Sequence, residues 1–366
     1  MAGHTVISAD SHVVEPADLW TELIDPQFRD RAPHVEEQDG NEVFVVDGLP
    51  SQWKNQMGLL GTAGVANENL HKYTRRRDAN PGGSDPHARI KDMAADGVDA
   101  EVLYSSMSMP INQVRDAAYQ AACFRAYNDW LADFCSVYPD KLIGIGLISL
   151  LDLEAGIAEV SRIAKKGLRG AAVSLDLAAE TDEPYWSAAY DPFWAQAAEL
   201  GMPISMHALT GATAWTKGKF ARVAFGPATM QETIANLIEF GVFERFPKLR
   251  VISVENDAGW VPNFAARLDH AYERGRHYQS GESPLTMKPS EYVRRHLSLT
   301  FMYDKVAVEQ RAWIGTETLL WASDYPHGNS TWPKSGEYIE WQFGDIPAEE
   351  RQMMIHDNVA NLYGMS

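Results

Sequence analysis

The sequence predicts a (β/α)8 barrel. Three observations carry that expectation. Eight short apolar runs recur along the 366 residues. Most are apolar on both faces, as parallel strands covered by helices must be. Helix-forming stretches alternate with the runs from the second onward. The first run is residues 5–10 (TVISAD) and the second 99–106 (DAEVLYSS). The third and fourth are 142–150 (LIGIGLISL) and 169–176 (RGAAVSLD). Then come 202–209 (MPISMHAL), 249–257 (LRVISVEND), 297–304 (LSLTFMYD) and 319–327 (LLWASDYPH). Between them, 113–138 and 153–166 carry apolar residues at helical spacing, and 191–200 opens with Asp191-Pro192, a cap followed by a first-turn proline. Stretches 228–246 and 259–276 are longer helices, 306–314 is a short one, and 347–363 closes the chain. An open doubly wound sheet is the competing architecture. The absence of Gly-x-Gly-x-x-Gly after the first run weakens its nucleotide-binding form.

One interval breaks the alternation. Residues 17–98 are polar, hold Arg75-Arg76-Arg77 and Pro81-Gly82-Gly83, and end in a helix over 85–96. They are expected to form an insertion on the catalytic face, a lid within a single domain 1–366. The alternative is decoration on the barrel's outside. A second excursion, 210–227, follows the fifth run.

Composition narrows the partners. Hydrophobic residues make up 45% and charged residues 22%, which is ordinary globular usage. The net charge of −18 repels phosphate backbones and anionic lipid, so the expected partner is a small molecule, not nucleic acid or a membrane. No run of 18 apolar residues is present, and MAGHTVISAD lacks the basic-then-apolar order of a secretory leader. Cys123 and Cys135 lie in one helix-forming stretch, roughly 18 Å apart along its axis at ~1.5 Å per residue, too far for a disulfide. A cytoplasmic protein is expected.

In an eight-stranded barrel, catalytic groups project from the C-terminal strand ends. The first run ends in Asp10-Ser11-His12, and residues two apart on an extended chain share a side. The fifth run ends at His207, the sixth at Glu255 (followed by Asn256-Asp257) and the eighth at Asp324. Carboxylates and imidazoles converging at one barrel mouth are metal-ligand chemistry. Asp10, His12, His207, Glu255 and Asp324 are the candidate ligands of a divalent cation. Glu15 is a candidate ligand, a carboxylate that orients His12, or a helix cap. His327, Asn256, Trp260 and Tyr104 are candidate contacts to substrate or to the ligands. Trp53, Tyr73, Met107, Met109, Trp215 and Tyr303 also lie in loops or near strand ends, where they can line a pocket for a flat or apolar substrate.

Asp10-Ser-His12, His207, and Ser323-Asp324-Tyr325-Pro326 resemble the amidohydrolase superfamily. More closely they resemble its amidohydrolase-related group, which holds aminocarboxymuconate semialdehyde decarboxylase, the dihydroxybenzoate decarboxylases and several hydrolases. Asn358-Val-Ala-Asn361-Leu-Tyr-Gly364 is similar to that group's closing segment. The resemblance implies that Asp10, His12, His207 and Asp324 hold one divalent ion, with Glu255 as a candidate fifth ligand, that Asp324 is the general base, with His207 beside it in the catalytic centre, and that the protein is a homodimer. Two departures stand out. Asp10 replaces a histidine common in the superfamily, and Glu255 stands where many relatives have histidine. Both put oxygen in place of nitrogen and harden the site, so Zn²⁺ is the first expectation with Mn²⁺ or Fe²⁺ as alternatives, and three carboxylates leave room for a second ion. Ser174-Leu175-Asp176 offers no lysine to bridge two metals, which favours one ion.

A divalent ion lowers the pKa of bound water and polarises a carbonyl. Hydrolysis of an amide, ester, lactone, thioester or C–C bond is therefore the first expectation. The alternative is non-oxidative decarboxylation of an aromatic or unsaturated carboxylic acid, in which the aspartate protonates carbon as CO₂ departs. That chemistry needs a cation near the departing carboxylate, and the arginine cluster at 75–77 gives it only thin support. A metal-binding module without catalysis is the remote third reading.

Overall fold

The computed structural model describes residues 5–51, 57–175, 183–208, 210, 219–278 and 284–365. Among the described residues there are ten strands: β1 Ile7–Val13, β2 His34–Gln38, β3 Asn41–Val45, β4 Ala100–Ser105, β5 Leu142–Leu147, β6 Gly170–Val173, β7 Ile204–His207, β8 Val251–Val254, β9 Leu297–Phe301 and β10 Leu319–Trp321. Eight of them form one parallel sheet in the order β1-β4-β5-β6-β7-β8-β9-β10. Helices alternate with them, so the chain is a (β/α)8 barrel. Every residue of the eight strands is buried. That follows from side chains facing the barrel interior on one side and the helix ring on the other.

Helix boundaries track the local chemistry. Asp191–Leu200 begins at the Asp-Pro pair and stops at Gly201, whose φ of 61° is the left-handed cap. The stretch read as one helix over 228–246 is two, Ala228–Glu239 and Val242–Arg245, because Gly241 at φ 72° interrupts it. Pro289–His296 and Ser335–Phe343 are helices that the sequence pattern did not single out. They are short and flanked by polar turns, which hides a helical period.

Residues 17–98 hold a short helix, Leu19–Leu23, the antiparallel β2–β3 hairpin, several 3₁₀ turns and the helix Pro86–Asp96. Asp85 caps that last helix by accepting from His87 N, and Gly97 at φ 74° ends it. Part of the segment lies at the catalytic end, where Ala63 N donates to Pro326 O at 2.9 Å. The basic cluster does not stay together. Arg75 pairs with Glu37 at 3.2 Å and Arg77 is exposed. Arg76 is half-buried, and its Nε is buried without a hydrogen-bond partner. Burial lowers its pKa, against the raising effect of Glu15, Glu42 and Asp18.

Barrel closure differs from the rest of the sheet. Among the described residues no regular ladder joins β10 to β1. Single bonds span the gap instead: Asp324 N to Asp10 O at 2.9 Å and His12 N to Tyr325 O at 2.6 Å. Ser323 N also donates to Ser8 Oγ at 2.9 Å.

Candidate metal centre

The site is built on that irregular joint. β1 does not stop at Asp10 as its apolar pattern suggests; it runs on to Val13 through a bulge. The register with β4 passes from Ser8–Glu101 to Ser11–Leu103, so three steps on β1 oppose two on β4. Asp10 and His12 lie within or just past this bulge, and Asp10 Oδ1 is 3.4 Å from His12 Nε2. At the other side of the joint β10 ends at Trp321, three residues earlier than its last metal-type residue. Asp324 itself is in the left-handed region at φ 58°, and Glu255 and Asp257 beyond β8 share that conformation at φ 57° and 52°. Such backbone is uncommon outside glycine and gathers at functional sites.

Three of the four expected ligands form one group whose donor atoms lie within 4.8 Å of one another: Asp10, His12 and His207. Asp324 joins through a second group with His12 and His327. His207 Nε2 is 3.8 Å from Asp10 Oδ1, and Asp324 Oδ1 is 3.6 Å from His12 Nε2. The ring orientations are fixed from behind. His12 Nδ1 is 3.0 Å from Ser105 O and His207 Nδ1 is 2.8 Å from Ala208 O. A carbonyl only accepts, so each Nδ1 carries its hydrogen and each Nε2 presents a lone pair. Those two Nε2 atoms face each other at 3.3 Å. Beside them Asp10 Oδ1 is buried 3.4 Å from His12 Nε2, and Asp324 Oδ1 is buried against His327 Nδ1 at 2.8 Å. Two lone pairs and two anionic oxygens at this spacing repel unless a cation or a proton lies between them. The donor set, two imidazole nitrogens and two carboxylates, fits a divalent ion.

In the cation-free chain, protons take part of that role. Burial opposes ionisation of Asp10, but hydrogen bonding and charge from His12 and His207 hold its carboxyl well below the usual range. Burial also acts against protonated His207, yet Asp10 and Glu255 together pull it up to about 9. His12 goes the other way, lowered by burial and by the neighbouring His327. His327 Nδ1 sits 2.8 Å from Asp324 Oδ1, which raises its pKa despite burial, while its Nε2 is 3.0 Å from Ser106 Oγ.

The remaining expected residues divide. Glu255 is not brought into the ligand groups: its Oε2 is 3.6 Å from His207 Nδ1, the nitrogen that faces away from the cage. About a third of its side chain, 37%, stays accessible. Desolvation, reinforced by Asp324 and Asp10, raises its pKa to about 7. Glu15 neither points at the cage nor caps a helix. Its carboxylate accepts from Met107 N at 2.8 Å, Ser108 N at 3.2 Å and Ser108 Oγ at 2.9 Å, and from Ser105 Oγ. It thus fixes the loop whose Ser105 carbonyl orients His12. Tyr104 packs against both imidazoles, with ring centroids 6.2 Å from His12 and 5.4 Å from His207. Trp260 Nε1 donates to Asn256 O at 3.0 Å and Asp257 O at 3.1 Å, and Asn256 Nδ2 donates to Val254 O at 2.8 Å. Together these shape the turn after β8. Tyr303 OH donates to Ser330 O at 3.1 Å and braces the loop after β10. Trp53, Trp215 and Asp176 lie outside the described residues, as do residues 211–218 of the second excursion.

Sequence reasoning missed the support beneath the ligands: Ser8, Ser11, Ser323, Glu101 and Arg89. For Ser8, Glu101 and Ser323 the signal was present as polar residues inside strand runs that are otherwise apolar, because a buried polar group needs a partner.

A parallel eight-stranded barrel with this donor set at its C-terminal mouth defines a metal-dependent enzyme class. The sequence matches the Amidohydrolase family over residues 11–365, and the protein belongs to that family. Among curated proteins it is 25% identical over 296 residues to 2-amino-3-carboxymuconate-6-semialdehyde decarboxylase of Dictyostelium discoideum, covering 76% of this chain and 79% of that one. An amidohydrolase of Mycobacterium avium subsp. paratuberculosis K-10 superposes with a TM-score of 0.82 at 23% identity, covering 100% of both chains. A 5-carboxyvanillate decarboxylase of Novosphingobium aromaticivorans DSM 12444, complexed with manganese and 4-hydroxy-3-methoxy-5-nitrobenzoic acid, superposes with a TM-score of 0.68 at 18% identity. That match covers 99% of this chain and 96% of the other. The decarboxylases among these relatives favour the second of the two reactions expected from sequence over hydrolysis. Among the described residues no helix is long and apolar enough to cross a membrane.

Proposed function

We propose that the protein is a metal-dependent, non-oxidative decarboxylase of an aromatic or unsaturated carboxylic acid. The observation that carries this reading is the position of Asp324. Its Oδ1 faces the ligand nitrogen of His12 at 3.6 Å on one side and His327 Nδ1 at 2.8 Å on the other. One carboxylate would thus border the ion and stand in position to exchange a proton with an imidazole. The decarboxylase relatives support the choice over hydrolysis.

Asp10, His12, His207 and Asp324 would hold one divalent ion, of the manganese-to-zinc kind. When bound, it supplies a Lewis acid that grips a carboxylate and an adjacent hydroxyl. Asp324 delivers a proton to the carbon bearing the carboxylate. The C–C bond then breaks, its electron pair stays with the ring or alkene, and CO₂ leaves. His327, held between Asp324 and Ser106, returns a proton to Asp324. Glu255 keeps its partly accessible carboxyl beside His207 and orients that ring from behind. Tyr104 fills the space against both imidazoles and excludes water from their faces. The half-buried Arg76, within electrostatic reach of Glu15, is one cation that the insertion offers near the site. A cytoplasmic homodimer completes the reading. The two free cysteines agree with a reducing compartment, and the family resemblance supports the dimer.

The test is a substrate panel of hydroxybenzoates, aryl esters and anilides in ¹⁸O-labelled and deuterated water, with His207→Ala as the metal-poor control. CO₂ release with deuterium on the product carbon and no ¹⁸O in the organic product is expected. Turnover of an ester or anilide with ¹⁸O in the product and no CO₂ would establish hydrolysis instead.

A further inference from the structure

Beneath the cage lies a buried polar seam that the proposed chemistry does not use. Ser8 Oγ, Ser11 Oγ and Ser323 Oγ form a triangle with sides of 2.9, 3.0 and 3.1 Å. Ser8 belongs to β1 and Ser323 follows β10, so the triangle ties the two strands that lack a regular ladder. Ser11 Oγ also donates to Glu101 Oε1 at 3.3 Å, and Glu101 Oε2 accepts from Arg89 Nε at 2.5 Å. Arg89 is wholly buried although its helix, Pro86–Asp96, belongs to the insertion. Its Nη1 donates to His12 O at 2.5 Å and to Gly82 O at 3.4 Å. Its Nη2 donates to Tyr325 O at 3.4 Å, and the guanidinium lies 4.7 Å from the centroid of the Tyr325 ring.

The insertion grips the same joint elsewhere. Tyr325 OH donates to Asp92 Oδ2 at 2.5 Å, Trp332 Nε1 to Asp92 O at 3.0 Å, and Ser335 Oγ to Asp96 Oδ2 at 2.5 Å. Gly82 permits the approach, since a Cβ there would meet Asp92 Oδ2 and Tyr325 Oη at 2.3 Å.

We propose that Arg89 is a positioning residue for the metal cage. Its rigid fork holds the carbonyl of ligand His12 and the carbonyl next to ligand Asp324 in one plane of donors, which a point-charge ammonium cannot do. The spacing of Asp10 and His12 from Asp324 is set across a joint without a ladder, so it depends on this clamp and on the serine triangle. Residues of the insertion therefore tune how tightly the barrel binds its ion, and this inference rests on the metal reading above.

Two variants test it. Arg89→Lys keeps a cation opposite Glu101 but loses the fork. The double variant Arg89→Met with Glu101→Gln removes both charges and leaves no orphaned buried ion. Mn²⁺ binding is measured by calorimetry on the full chain, alongside the melting temperature of the metal-free protein. The dissociation constant is expected to rise tenfold or more in both variants while the metal-free protein stays folded. A purely structural role would lower the melting temperature and leave the dissociation constant within twofold of wild type, and that result would overturn the clamp alone. Failure of both variants to fold would overturn it as well, because the cage would then owe Arg89 nothing beyond the fold. Wild-type protein that binds no Mn²⁺ or Zn²⁺ would remove the metal reading and this inference together.

Discussion

Replacing Asp324 with asparagine separates ligation from proton transfer. The backbone tolerates the change: Asp324 has φ 58°, a conformation asparagine adopts as readily as aspartate. The amide oxygen can still accept from His327 Nδ1, now 2.8 Å away, and still face the ion from the position that is 3.6 Å from His12 Nε2. Stability should therefore change by about 1 kcal/mol or less, roughly 2 °C in melting temperature for a chain of this size. What is lost is a group that can carry a proton. Positioned general acids and bases contribute about 10²–10⁴-fold, so kcat should fall by about 3–5 kcal/mol of barrel-side stabilisation of the transition state. His327 also loses the anion that raises its pKa, so any residual activity should shift its dependence on that imidazole to lower pH. The assay is CO₂ release from a turned-over hydroxybenzoate, with metal content measured on the same sample. Metal retained with more than a tenth of wild-type turnover would refute Asp324 as the proton carrier.

The other expectations concern protons and thiols. With His207 pulled up to about 9, the metal-free cage holds a proton at pH 7. Loading it with Mn²⁺ should release ~one proton below pH 9, and apparent affinity should rise with pH until that value is passed. Calorimetry in buffers of different ionisation enthalpy reads this directly, and no net proton release at pH 7 would contradict the assignment. Burial pushes the thiols of Cys123 and Cys135 up to about 12. At pH 8 their thiolate fraction is then on the order of 10⁻⁴, so alkylation should require unfolding. Rapid stoichiometric labelling of native protein would show that helix Ala117–Ser136 opens readily.

Much of the barrel was legible because both faces of each strand are covered, which leaves continuous apolar runs that turn residues bound cleanly. Boundaries were less legible where backbone departs from regular geometry. The extension of β1 to Val13 and the early end of β10 at Trp321 both come from the bulge and the left-handed Asp324, which a two-residue period does not encode. The cage residues were legible one strand at a time, since Asp10, His12, His207 and Asp324 each end an apolar run. Glu255 looked equivalent by that criterion. Its turn at φ 57° carries its carboxylate to the outer nitrogen of His207. Arg89 was invisible for a different reason. It reads as one charge on a polar helix, and only the packing of Pro86–Asp96 against β1 and the turn after β10 makes it a buried donor. Similarly, Arg75, Arg76 and Arg77 form one cluster in sequence and three different environments in space.

The joint between β1 and β10 brings together residues far apart along the chain, Ser8 and Ser323 being 315 positions apart. Asp10 and His12 are made long before Asp324, so the four expected ligands are complete only once synthesis has passed position 324 and the first barrel strand has met the last. A protease cut almost anywhere in the intervening loops would leave that fastener in place, with the two fragments still pinned at the mouth where the chemistry occurs.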